Sequence, residues 1–301
     1  MFANRMDGTG YTPYIGIIIA VVSVSFASIF IRWSDSPPLV IAAYRMLFAS
    51  LMLLPFALGP CRRQCVSLKK NSYGLLAGIG VVLALHFWAF NASLTLTTVA
   101  ASTLLVTAHP LIIGVVSIFL LKETDKRAMV GMVLGFSGII LMSVSGLEGG
   151  ELAGNVLAFT GCILAAVYIV GGRLMRQKVD LVPYAFFVYL FSTIFLFGAC
   201  LATGEKLWPM SNEDLLLFLL LAGVSTILGH TMYNWSLKYV SASLVSVSLL
   251  GEPILATIWA AIFLSEVPSP LVLVSGALLL VGVLIVAKYE VKIEREKPAL
   301  L

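Results

Sequence analysis

Polar and apolar positions in this chain alternate on a long scale, with runs of about twenty apolar residues separated by short polar breaks. Ten such runs can be read: 13 to 32, 38 to 58, 73 to 93, 99 to 121, 128 to 147, 152 to 172, 181 to 203, 214 to 237, 240 to 264 and 268 to 287. About twenty residues of α-helix, rising 1.5 Å each, cross the hydrocarbon layer of a bilayer. The pattern predicts an all-α membrane protein with ten transmembrane helices joined by short loops. No soluble domain, linker or low-complexity tract is left over, so residues 1–301 read as a single membrane domain. The first run is long for a signal-peptide core, and "RWSDSPP" follows it instead of a small-residue cleavage site. It reads as a permanent helix.

Composition agrees. Hydrophobic residues make up 60% of the 301, charged residues 11%, and the mean hydropathy is +1.02. Soluble domains carry about 25% charged residues, so much of this surface must face lipid. The few charges then report orientation. With both termini in the cytoplasm, sixteen of the nineteen Lys and Arg residues fall on the inner side: Arg5, those of 62–70, 122–127, 173–178, Lys238 and those of 288–297. Arg32 and Lys206 lie outside, Arg45 lies within a span, and the acidic residues divide evenly. That bias follows the positive-inside rule. The net charge of +4 is thus a record of topology, and nucleic acid is not an expected partner. Four scattered cysteines, Cys61, Cys65, Cys162 and Cys200, imply a reducing compartment without a disulfide framework. "CRRQC" has no companion ligand pair, so neither a metal nor a cofactor is expected.

The chain repeats itself at a shift of 143. "TAHPLIIGVVSIFLLKE" (107 to 123) meets the region of "LGEPILATIWAAIFLSE" (250 to 266), aligning Pro110 with Pro253, Leu121 with Leu264 and Glu123 with Glu266. Upstream, "FNASL" meets "YNWSL", pairing Asn91 with Asn234, Ser93 with Ser236 and Leu94 with Leu237. The two copies, 13–147 and 152–288, hold five spans each. An odd number turns the second half upside down, giving two inverted five-helix repeats, an arrangement typical of secondary transporters. Arg32 closes span one and Arg173 closes span six on opposite sides, as inversion requires.

These tandem halves, each ending in a helix of the form Pro, about a dozen apolar residues, then Glu, resemble the EamA-type transporters of the drug/metabolite transporter superfamily. "AAYRMLFASLMLLP" in span two and "GEP…LSE" in span nine are similar to that family's pattern. The resemblance implies a bacterial or archaeal inner-membrane carrier, alternating access, and a central cavity bordered by spans 1, 3, 4, 6, 8 and 9. It also implies export of amino acids or other small metabolites. The first copy departs from the second at one place: His109 stands where the second has Glu252, each just before its Pro.

Several side chains carry candidate chemistry. A carboxylate at the bilayer centre is expensive, so Glu252 reads either as a proton carrier or amine ligand, or as a carboxyl bonded between helices. Pro253 removes a backbone donor and should free the Leu249 carbonyl, kinking the helix; Pro110 should do the same in span four. His109 has an imidazole suited to proton exchange or to a fixed interhelical bond. His86 sits toward the outer part of span three and His230 toward the inner part of span eight, and either could touch solute. The shift pairs Phe87, not His86, with His230. Trp88, Phe90, Tyr168, Tyr233, Trp235 and Trp259 could stack on a flat or cationic solute, and Trp88, Tyr168 and Trp259 lie deep enough to line the cavity. Asn91 and Asn234 are expected to bond helix to helix. Arg45 could grip an anion bidentately. It could equally snorkel or cap a neighbour, and because the resemblance leaves span two outside the cavity wall, the structural role is preferred. Gly131 and Gly135 form GxxxG, fitting internal packing or a homodimer contact.

A secondary transporter of small polar solutes such as amino acids or amines is the leading expectation, as monomer or homodimer. A facilitative carrier for a bulkier solute is the alternative. No GxxxxGK[ST] offers ATP-driven transport. A membrane-embedded enzyme would need Asp-rich pairs, HExxH or a Ser–His constellation, and none is seen.

Overall fold

A computed structural model describes residues 12–121, 126–149, 151–208, 210–236, 238–240 and 248–296. Glu123, the residue expected to close the first repeat, lies outside the described residues. Helix dominates and no strand occurs among them. We label the principal helices α1 (Thr12–Trp33), α2 (Pro38–Leu58), α3 (Lys70–Leu94) and α4 (Val99–Val106, then His109–Leu121). The remainder are α5 (Lys126–Gly149), α6 (Leu152–Arg176), α7 (Leu181–Thr203), α8 (Asn212–Ser236), α9 (Gly251–Phe263) and α10 (Pro270–Glu296).

Among the described residues nine helices are long and apolar enough to cross a membrane. The expected span 240–264 falls partly on 241–247, outside the described residues. Its described part, α9, has thirteen residues, about 20 Å of helix. The helix ends follow local chemistry. Pro37 and Pro38 open α2, where a missing N–H does no harm. Thr98 caps α4 by accepting from the Ala101 N–H at 3.2 Å, and Ser211 caps α8 by accepting from the Asp214 N–H at 3.0 Å. Gly204 stops α7 at φ +74°, a left-handed cap suited to glycine.

The outward faces confirm the solvent. Ile18, Val133, Ile140, Ile194 and Leu201 are each more than half exposed. A soluble monomer does not show apolar surface on this scale, and the molecule is an integral membrane protein.

Helices pair across the two halves: α5 with α10, α2 with α7, α4 with α9, α3 with α6, α1 with α8, α3 with α7 and α2 with α8. The α5–α10 seam is the closest. Gly131 and Gly135 face Gly282 there, so the GxxxG stripe is filled within the chain.

Regular winding fails in two ways, at the broken ends of α4 and α9 and along α8. The kink expected at Pro110 in span four takes the form of a break: α4 is interrupted at Thr107–Ala108, just before His109–Pro110. A turn at Leu249–Leu250 likewise precedes α9 and Pro253. The Leu249 carbonyl is not left free as expected; it accepts from the Glu252 N–H at 2.9 Å, a tighter turn that absorbs the proline's missing donor. In α8, residues Leu221–Thr231 are wound as π-helix. Thr226 and Thr231 donate their hydroxyls to the carbonyls five residues back, Leu221 at 2.9 Å and Thr226 at 3.1 Å. No periodicity in the sequence announces this winding.

Candidate functional site

The two interrupted helices and the π-wound stretch meet at one enclosed cavity. Its wall is drawn from α1 (Val24, Ala27), α3 (His86, Phe87, Phe90), α4 (Val106, Thr107, His109) and α6 (Ala165, Tyr168, Ile169). It is completed by α8 (His230, Tyr233, Asn234), the start of α9 (Leu249, Glu252) and, from α2, Arg45. The space left for the centres of water-sized spheres is about 60 Å³, well above the roughly 10–15 Å³ needed to admit a water.

Arg45 lies closer to the cavity than the resemblance implies. It is 1% exposed and lines the cavity, although the resemblance leaves span two outside the wall. Its partner is on α8, within the π-wound stretch. Arg45 Nε donates to Thr226 Oγ1 at 2.7 Å, and the guanidinium lies 3.9 Å from the centroid of the Phe87 ring. That stacking is a cation–π contact. Its Nη1 and Nη2 are buried and have no hydrogen-bond partner.

The histidines converge. The sequence sets His86 and His230 toward opposite ends of their spans, yet their ring centroids are 6.4 Å apart. Phe87, the residue the repeat pairs with His230, packs edge-on against it at 5.0 Å, and Tyr168 lies 6.4 Å from His230. His86 Nδ1 faces the Gly161 carbonyl at 2.9 Å and His109 Nδ1 the Thr107 carbonyl at 3.0 Å. A carbonyl only accepts, so each Nδ1 donates and, in the neutral ring, Nε2 keeps its lone pair. His109 Nε2 is buried with no partner.

Asn234 bridges helices, its Nδ2 donating to the Tyr168 hydroxyl at 2.6 Å, and it also lines the cavity. Asn91 stays outside the cavity wall and donates to the Pro38 carbonyl at 3.1 Å. Tyr233 lines the wall with its hydroxyl unpartnered. Three of the candidate aromatics are elsewhere. Trp88 is 38% exposed on the lipid face, one helical step round from Phe87. Trp259 donates from Nε1 to Ser25 Oγ at 3.0 Å and stacks on Phe26 at 4.8 Å, tying α9 to α1 away from the cavity. Trp235 packs on Tyr239 at 5.1 Å, outside the wall. Phe87 and Thr226 are functional neighbours that sequence reasoning missed. For Thr226 no signal exists, since its role depends on the π winding.

Beyond the cavity, Glu266 joins three helices at one end of the bundle. Its carboxylate accepts from the Val99 N–H at 2.6 Å and pairs with Arg32 at 3.2 Å, while Arg32 also donates to the Leu94 carbonyl at 2.7 Å. Elsewhere Arg173 donates to the Val240 carbonyl at 2.8 Å.

The model of the EamA-like transporter family matches the chain twice, over residues 12–144 and 152–288. A transporter of unassigned function from Archaeoglobus fulgidus is 23% identical over 277 residues, covering 89% of this chain and 94% of the relative. A Salmonella typhimurium protein described as "Probable amino-acid metabolite efflux pump" is 23% identical, covering 94% of this chain and 95% of its own length. A crystal structure at 18% identity superposes with a TM-score of 0.66 over 92% of this chain and 98% of that one. That likeness speaks to the fold.

Proposed function

This chain belongs to the EamA-like transporter family, and we propose that it is a secondary transporter carrying small polar solutes, amino acids or amines, by alternating access through this cavity. The observation that carries the reading is a mostly apolar cavity walled by both halves of the chain, into which a few polar side chains are set, with Glu252 and His109 beside the interruptions of α9 and α4. A solute held there has lipid-spanning helices on every side, and rocking one half against the other would expose it to each face in turn.

Ten spans in two inverted repeats are part of the proposal. Exchanging each helix for the one five places away turns α3–α6 into α8–α1 and α3–α7 into α8–α2, while α2–α7, α4–α9 and α5–α10 map onto themselves; all these pairs are in contact. Both termini are placed in the cytoplasm on the positive-inside bias alone. Export is favoured by the Salmonella relative's description.

Proteoliposomes preloaded with unlabelled amino acids or amines test the reading by counterflow. Accelerated entry of the matching labelled solute is the expected result, and no exchange of any of them would refute it. Proton coupling through Glu252 or His109 belongs to the same proposal. A pH gradient should drive accumulation, and Glu252→Gln should abolish that drive. Transport indifferent to both would leave a facilitative exchanger.

A further inference from the structure

We infer that Arg45 is the specificity determinant of the cavity, holding a carboxylate on the solute, and that solutes without one are rejected. The inference rests on the transport reading and narrows its substrate class from amino acids or amines to molecules bearing both an ammonium and a carboxylate.

The argument starts from the hydrogen bonds Arg45 lacks. A guanidinium carries five N–H donors in a planar fork. One of them, on Nε, is taken by Thr226 Oγ1, and Phe87 covers one face of the plane. The four on Nη1 and Nη2 have no partner, and both atoms are buried. Leaving charged donors unsatisfied in a protein interior is among the larger penalties a folded protein carries. Arg45 forms no ion pair among the described residues. Its free edge is the one that receives a carboxylate bidentately, and the side chain is held by Thr226 and Phe87 so that little ordering remains to be done on binding.

The same cavity has a second pole of opposite character. His109 Nε2 presents a buried, unpartnered lone pair, and Glu252 presents a carboxyl. Both can accept from a donor; neither can satisfy a carboxylate unless it is itself protonated. Phe90, Val24 and Leu249 add apolar surface to the same wall. A small molecule with a carboxylate at one end and an ammonium at the other meets both poles. A simple amine leaves the Arg45 fork empty and brings a second cation near it. Binding energy of this kind discriminates by what is left unpaired, the strongest form of selectivity a polar site has.

Thermal unfolding of the purified protein in detergent tests this without transport. The probes are the proteinogenic L-amino acids and their carboxamides, which keep the ammonium and lose the carboxylate charge. At least one acid is expected to raise the unfolding temperature, its carboxamide to leave it unchanged, and Arg45→Gln to weaken the acid's apparent affinity about tenfold or more. Arg45→Lys, which keeps the charge and loses the fork, should recover only part. The acid–amide comparison needs no variant, so the test holds even if Arg45→Gln misfolds. Carboxamides binding as well as acids, an acid shift that survives in folded Arg45→Gln, or no shift from any acid would each overturn the assignment. Counterflow separates the two readings. Exchange of amines or amides would sink the Arg45 assignment and leave the transporter standing. Acid-selective binding with no exchange of any solute would do the reverse.

Discussion

Substituting Gly282 with alanine puts the α5–α10 seam to its hardest test. A Cβ at 282 would lie 2.3 Å from the Gly135 nitrogen, 2.6 Å from the Gly131 carbonyl oxygen and 2.6 Å from the Gly135 Cα. All three are backbone atoms, so no rotamer change can make room, and the helices must part by about 1 Å. A gap of that size forfeits a quarter to a half of each van der Waals contact along the seam. In a bilayer those contacts are what hold two helices together, because lipid is as apolar as leucine. Overpacking of this kind destabilises by about 1–3 kcal/mol. Gly74→Ala and Gly198→Ala are matched controls, since a Cβ at either meets nothing within 4 Å; each should change stability by less than about 0.5 kcal/mol. Unfolding in SDS, followed by circular dichroism, gives the difference directly. If Gly282→Ala is as stable as the controls, the seam is not packed this closely. If instead it leaves stability intact and converts a dimer to a monomer, the stripe serves a second copy of the chain.

Other parts of the molecule give three more expected outcomes. Glu266→Ala should lose about 1–2 kcal/mol, chiefly the bond to the Val99 N–H, with little from the partly exposed Arg32 pair; Glu266→Gln, which can still accept, should recover most of it in the same SDS titration. Burial, and secondarily Asp180, push the Cys61 thiol up from its ordinary value, so its thiolate fraction is low at neutral pH; in a Cys65→Ser background, maleimide labelling of Cys61 should rise only at pH above the usual thiol range, and Asp180→Asn should move the profile down. Trp88→Phe should leave solute binding and counterflow unchanged, because Trp88 faces lipid; loss of either would return Trp88 to the cavity.

Much of the scaffold is legible in the residues. The limits of α2 and α7 coincide with the apolar runs 38 to 58 and 181 to 203, because proline opens one and a glycine closes each. The breaks in α4 and before α9 sit beside Pro110 and Pro253, where a missing N–H forces a change of winding. The site is less legible, for a physical reason. In water, an apolar face marks the inside of a helix; in lipid, inside and outside are both apolar, and rotation about the axis leaves no trace in hydropathy. Hence residue type favours Trp88 as the inward ring over Phe87, although the two differ by one position and the structure reverses them. Arg45 can be seen to lie deep, but which helix it faces depends on Thr226, and Thr226 depends on winding that local sequence does not encode. The convergence of His86 and His230 depends on side chains reaching toward each other from α3 and α8, two helices that are not among the closely packed pairs. The repeat hints at it by matching Phe87 with His230, two rings in edge contact.

The loose coil in α8 has a consequence for how such a cavity can be retuned. Between Leu221 and Thr231 the chain closes its bonds one residue later than an ordinary helix does, and that slack is a reservoir. Removing a single residue there would let the coil tighten toward ordinary winding and change which side chains within the stretch face the cavity, while Tyr233 and Asn234 beyond it keep their side. A carrier built this way can trade one lining side chain for another by gaining or losing a codon, with its neighbours in the bilayer left where they were.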